Sequence, residues 1–161
     1  MQPLSKATDN LRKAFHFVND VAVRNEVRYV GSEHFVYAFL CMPDCGAYRA
    51  LTASGVNKAQ YEQLFFGKLD KGFGYDGLTP RMQKMYDRAV MLAEDENMQA
   101  GTAHLLYAIL EQPKCVGAGY LQTLADLTVM LGNAHTDFHH ETAHNEGKVL
   151  FRTIITDCLL N

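Results

Sequence analysis

Four histidines crowd one short stretch: His135, His139, His140 and His144. If the stretch is helical, each pair spaced four apart shares a face, and two imidazoles at that spacing can hold a transition metal. The two pairs would point about 140° apart at the helical step of roughly 100° per residue, so no single four-histidine site can form. The reading is a solvated, pH-responsive histidine segment, with no metal or other cofactor called for. Elsewhere, groups that could do catalysis lack their partners. Gly147-Lys148 is followed by Val149, not by a hydroxyl residue, and has no upstream glycine at phosphate-loop spacing. The chain has no G-x-S-x-G elbow and no H-E-x-x-H helix. Cys41, Cys45, Cys115 and Cys158 form no C-x-x-C pair and are too sparse for a disulfide scaffold, so a reduced, cytoplasmic protein is expected. No enzyme is expected either.

Two other histidines, His34 and His104, lead to the elements behind them. Gly31-Ser32-Glu33-His34-Phe35-Val36-Tyr37-Ala38-Phe39-Leu40 matches Gly101-Thr102-Ala103-His104-Leu105-Leu106-Tyr107-Ala108-Ile109-Leu110 at a constant offset of 70. Pro43 and Pro113, Cys45 and Cys115, and Leu51 and Leu121 keep that offset. Upstream it becomes 71, which sets Thr8 opposite Thr79 and Ala22 opposite Ala93. The chain is read as a duplicated unit of about 70 residues. The repeated histidines are then expected to be buried and bonded to neighbouring backbone, and the matched cysteines to be small core residues.

Each unit reads as four helices. Leu78-Thr79-Pro80 is a start signal, with the threonine as N-cap and proline at the first helical position. Met82, Met85, Tyr86, Ala89, Leu92 and Ala93 follow at steps of three and four, one buried stripe. Thr8 opens the matching helix over Leu11, Phe15, Val18 and Ala22. A second helix is expected to be capped by Ser32 or Thr102 and to stop before Pro43 or Pro113. Its aromatic positions, Tyr37 and Tyr107 among them, read as core. A third starts at Cys45-Gly46 or Val116-Gly117, and a fourth spans Asn57 to Leu69 or Asp126 to Ala134.

The expected architecture is all-α: two pseudo-symmetric four-helix repeats packed as one globular domain. The first repeat covers 1–69, a flexible glycine-rich linker 70–77, and the second repeat 78–134. A histidine-rich segment and an apolar C-terminal extension fill 135–161. A unit of this size is marginal alone, so the halves should pack on each other. The extension, with Val149-Leu150-Phe151, Ile154-Ile155 and Leu159-Leu160, would be sticky if exposed. Composition narrows the partners. Lys and Arg total 15 against 18 Asp and Glu, a net charge of −3, so nothing favours nucleic acid. The longest apolar run, around Phe35 to Met42, is far short of a membrane span, and the N-terminus lacks a secretory signal.

Tyr29-Val30-Gly31-Ser32-Glu33-His34, with Leu78-Thr79-Pro80-Arg81 opening the second half, resembles the Clp N-terminal domain, the double repeat that precedes the ATPase rings of Clp-type AAA+ unfoldases. The resemblance covers about Leu4 to Ala134. It implies a non-catalytic module that docks client or adaptor proteins and works with a Clp ATPase ring and peptidase. In the ClpC-like branch it further implies two phosphoarginine pockets, each pairing the Glu of the Glu-His block with the threonine that opens the first helix. Carried onto this chain, one pocket would use Thr8 and Glu33. The other would use Thr79 and Arg81, with Ala103 where a carboxylate belongs, and is expected to be weak or lost. Ala7 and Asp9-Asn10 also depart from the family pattern around Thr8. The alternative readings are a stand-alone helical protein that interacts or oligomerises through its C-terminal segment, or a histidine-rich metal-responsive binder.

Overall fold

The computed structural model describes residues 1–69, 71–72 and 74–139. Eight α-helices are formed by these residues: α1 Asp9–Arg24, α2 Ser32–Leu40, α3 Gly46–Ala53, α4 Lys58–Gly67, α5 Pro80–Glu94, α6 Thr102–Leu110, α7 Val116–Gln122 and α8 Leu127–Thr136. Local chemistry sets most of the starts. Thr8 Oγ1 accepts the Leu11 N–H at 3.2 Å, and Thr79 Oγ1 accepts the Met82 N–H at 3.1 Å. Asn57 and Asp126 do the same for α4 and α8. Behind each cap runs an apolar stripe. Leu11, Ala14, Phe15, Val18 and Ala22 are buried on α1, and Met82, Met85, Tyr86, Ala89, Val90 and Ala93 on α5. Phe15 sits edge-on to Phe35 at 4.9 Å and to Tyr86 at 5.2 Å, which ties α1, α2 and α5 into one core.

The starts of α2 and α6 differ from the sequence expectation. The caps are Gly31 and Gly101, whose N–H groups donate to Nδ1 of His34 at 3.1 Å and of His104 at 3.0 Å. The two histidines are therefore buried and bonded to neighbouring backbone, each holding its own helix start. Ser32 and Thr102, expected as caps, serve the opposite repeat. Ser32 Oγ accepts the Gly117 N–H at 2.8 Å, and Thr102 Oγ1 accepts the Ala47 N–H at 3.1 Å. Each hydroxyl thus satisfies an orphan amide in the first turn of α7 or α3. Tyr37 and Tyr107 are half-buried, at the edge of the core.

The same exchange governs the packing. Helix α2 lies on α7, and α3 lies on α6 and α8, so each repeat buries its second and third helices against the other half. Two short parallel bridges, Ala7 with Ala100 and Val30 with Leu78, join the lead-in of each first helix to the lead-in of the other half's second helix. The described part of the linker is hydrogen-bonded to the segment that leads into α2. Gly72 N–H donates to Glu26 O at 2.7 Å, Asp76 N–H to Arg28 O at 2.7 Å, and Val30 N–H to Gly77 O at 2.9 Å.

Candidate functional site

The crossed bridges decide which predicted residues meet. Thr79 N–H donates to Val30 O at 3.0 Å, which lays the start of α5 beside Gly31, Glu33 and the start of α2. Thr8 N–H donates to Ala100 O at 2.8 Å, which lays the start of α1 beside Gly101 and Ala103. Thr8 and Glu33, paired in the sequence reading, therefore stand in different places. Thr8 is buried, at 1% exposure, with buried Ala103 on its side of the molecule. Glu33, Thr79 and Arg81 line one cleft of about 540 Å³. The half-site that lacked a carboxylate in the sequence reading is thus the one that has it.

Within the cleft, the Glu33 carboxylate is 18% exposed and its Oε1 lies 2.9 Å from His34 Nδ1. The same nitrogen accepts the Gly31 N–H at 3.1 Å, so the carboxylate sits directly at the start of α2. Gly31 makes room for it, because a Cβ there would fall 2.5 Å from Oε1. The backbone behind Glu33 is fixed by Tyr61, whose hydroxyl donates to Glu33 O at 2.7 Å. Burial, with the nearby Glu33 charge, pushes the Tyr61 hydroxyl well above its ordinary range, so it remains a donor. Arg81 is exposed on the first turn of α5, and the apolar wall is built from Val27, Met82, Met85, Phe65 and Val116. The arrangement offers a carboxylate, a cation and a hydroxyl beside an apolar surface. This is binding equipment for a side chain that carries both charge and methylene length.

On the opposite side, the histidine meets a different aromatic partner: His34 has Phe65 edge-on at 5.3 Å, whereas His104 is stacked. Phe138 is buried there and stacks on His104 at 4.1 Å. Burial, and then the charges of His139 and His135, lower the His104 pKa to about 4, which keeps the ring neutral. His135 and His139 are exposed, and His139 Nε2 pairs with Glu96 Oε2 at 2.7 Å. Helix α8 stops at Thr136 with Asp137 as its C-cap, between these two histidines. His140, His144 and the apolar extension lie outside the described residues. Among the described residues, no group of three or more His, Cys, Asp or Glu is placed to hold a metal ion, and no helix is long and apolar enough to cross a membrane.

Sequence reasoning missed Lys68 and Tyr120, which also line the cleft, and mispaired Thr8 with Glu33. No sequence signal separates the two pairings, because the offsets of the repeat are the same whichever way the halves exchange. Residues 6–124 match the Clp repeat (R) N-terminal domain. The chain belongs to this family. A search of curated proteins gives no match. Among solved structures, the chain is similar to the N-domain of ClpV from Vibrio cholerae, at 14% identity over 87% of this chain and 89% of that one, with a TM-score of 0.73. It is also similar to a ClpV N-domain in complex with a VipB peptide, at 14% identity over 81% and 89%, with a TM-score of 0.65. The N-terminal domain of the caseinolytic protease associated chaperone ClpD from Arabidopsis thaliana matches at 13% identity over 84% and 96%, with a TM-score of 0.65. The all-helical double repeat is thus the Clp N-domain fold.

Proposed function

We propose that this Clp repeat domain is the client- or adaptor-docking module of a cytoplasmic Clp-type unfoldase system, without catalysis of its own, acting with a Clp ATPase ring and peptidase in cis or in trans. A solved relative of the same fold is a ClpV N-domain carrying a VipB peptide, which supports peptide capture as the activity. In this chain the cleft at Glu33, Thr79 and Arg81 takes the peptide's key side chain, which we assign as phosphoarginine. One observation carries the assignment: the three residues converge on one cleft from both repeats. A guanidinium donates paired hydrogen bonds to the Glu33 carboxylate. The Thr79 hydroxyl accepts from Met82 N–H and keeps its own proton to donate to a phosphoryl oxygen. The Arg81 guanidinium and the N-terminal end of α5 add positive charge at the same spot.

Titration calorimetry with acetyl-phosphoarginine amide tests this. Saturable heat is expected from the native chain, and Glu33→Gln, which keeps shape and loses charge, should bind about tenfold more weakly or less. No saturable heat from the native chain, or equal affinity in the variant, ends the assignment.

A further inference from the structure

Resting on the assignment of this cleft, we infer that Lys68 is its specificity-determining residue, the cation that separates a phosphorylated arginine from a plain one. Lys68 is the C-cap of α4, and its ammonium lies 5.7 Å from the ring centroid of Tyr120 on α7. Its place relative to Glu33 is fixed twice over. Tyr61, on the same helix, bonds the Glu33 carbonyl and sits edge-on to Tyr120 at 6.0 Å. Burial raises the Tyr120 hydroxyl pKa, and the Glu33 charge raises it further, so the ring under Lys68 lies within the field of that carboxylate.

Charge arithmetic gives Lys68 its role. Among the described residues neither Lys68 nor Arg81 is in an ion pair, a state they share with Arg24, Arg28, Lys71, Lys84 and Lys114, and of these only Lys68 and Arg81 line the cleft. Among the described residues, the Lys, Arg, Asp and Glu that line the cleft are Lys68, Arg81 and Glu33, a net charge of +1 on a chain whose total is −3. A phosphoarginine side chain, with a phosphoryl group near −2 and a guanidinium at +1, is about −1 and complements it. Plain arginine, at +1, does not. Without Lys68 these lining charges sum to zero, and Thr79, Arg81 and the α5 N-terminus alone sustain a weaker preference. An exposed cation–π contact is weak, so the ammonium can leave Tyr120 for a phosphoryl oxygen at little cost.

The opposite half sharpens the point. Aligning the caps Asn57 and Asp126 sets Lys68 against Asp137, which pairs with Arg49 at 3.7 Å. Glu33 and Arg81 stand against Ala103 and Asn10. The three charges occur together on one side of the molecule, and none of them recurs on the other.

The test compares acetyl-phosphoarginine amide with acetyl-arginine amide on the full chain and on Lys68→Gln and Lys68→Arg, with melting temperature as the control for folding. Lys68→Gln should bind phosphoarginine about tenfold more weakly while its affinity for arginine holds or rises, and Lys68→Arg should keep the native preference. A native chain that binds phosphoarginine, with a Lys68→Gln variant whose ratio of the two affinities is unchanged, overturns the role of Lys68 and leaves the cleft assignment standing. A native chain that binds neither ligand overturns both.

Discussion

On the proposed function, Gly31 should matter to binding more than to stability. Its φ of −116° and ψ of −169° are ordinary extended values that any residue adopts, so no backbone strain demands glycine there. What demands it is the Glu33 carboxylate, which occupies the space a Cβ would fill. Gly31→Ala is expected to cost less than about 1 kcal/mol in a urea melt, the usual scale for an N-cap glycine replaced by alanine. The carboxylate, however, must swing away from its seat beside His34. Phosphoarginine affinity should then fall severalfold while the melting midpoint barely moves. Unchanged affinity in that variant would mean that Glu33 binds from a different position. Glu33, Thr79 and Arg81 are named from the family resemblance, one motif at a time. Their partnership is not legible in the sequence, since it depends on which half supplies the neighbour of Val30.

Helix starts divide along the same line. Thr8 and Thr79 cap their own helices, and the amides they satisfy lie three residues ahead, so sequence spacing revealed them. Asn57 and Asp126, read only as the first residues of the fourth helices, cap theirs in the same way. Ser32 and Thr102 satisfy amides 85 and 55 residues away, which no local rule can reach. These two bonds pin each half's second helix to the other half's third. Gly117 adds a steric condition, because a Cβ there would meet the Ser32 carbonyl carbon at 2.8 Å. Thr102→Val removes the hydroxyl at nearly constant volume and strands the buried Ala47 N–H, at about 1–3 kcal/mol. Gly117→Ala forces α7 off α2 as well as disturbing the Ser32 bond, and should cost at least as much by overpacking. Equilibrium urea unfolding of both variants measures this. A Gly117→Ala chain as stable as the native one would show that α2 and α7 are not held as closely as the contact implies.

At the scale of the molecule, duplication gives two pseudo-equivalent junctions between helix starts, and the two differ in chemistry, which on the proposed function limits the ligand to one of them. One is an open cleft with Glu33, Arg81 and Lys68 at its edge. The other has a buried Thr8, Ala103 for the carboxylate and Asn10 for the guanidinium, and Phe138 stacked over its histidine. The whole chain should therefore bind one phosphoarginine, not two, although its fold is a double repeat. Restoring the missing carboxylate by Ala103→Glu should not create a second site. Ala103 is fully buried, so the new charge would be desolvated, a costly placement that raises its pKa and favours the neutral acid. Calorimetric stoichiometry reads both cases directly, with saturation at one ligand per chain expected for the native protein and for the variant. Two ligands per native chain would mean that the Phe138 side binds as well, and two only in Ala103→Glu would make the carboxylate alone the determinant. Either result would replace a one-sided module by a symmetric one.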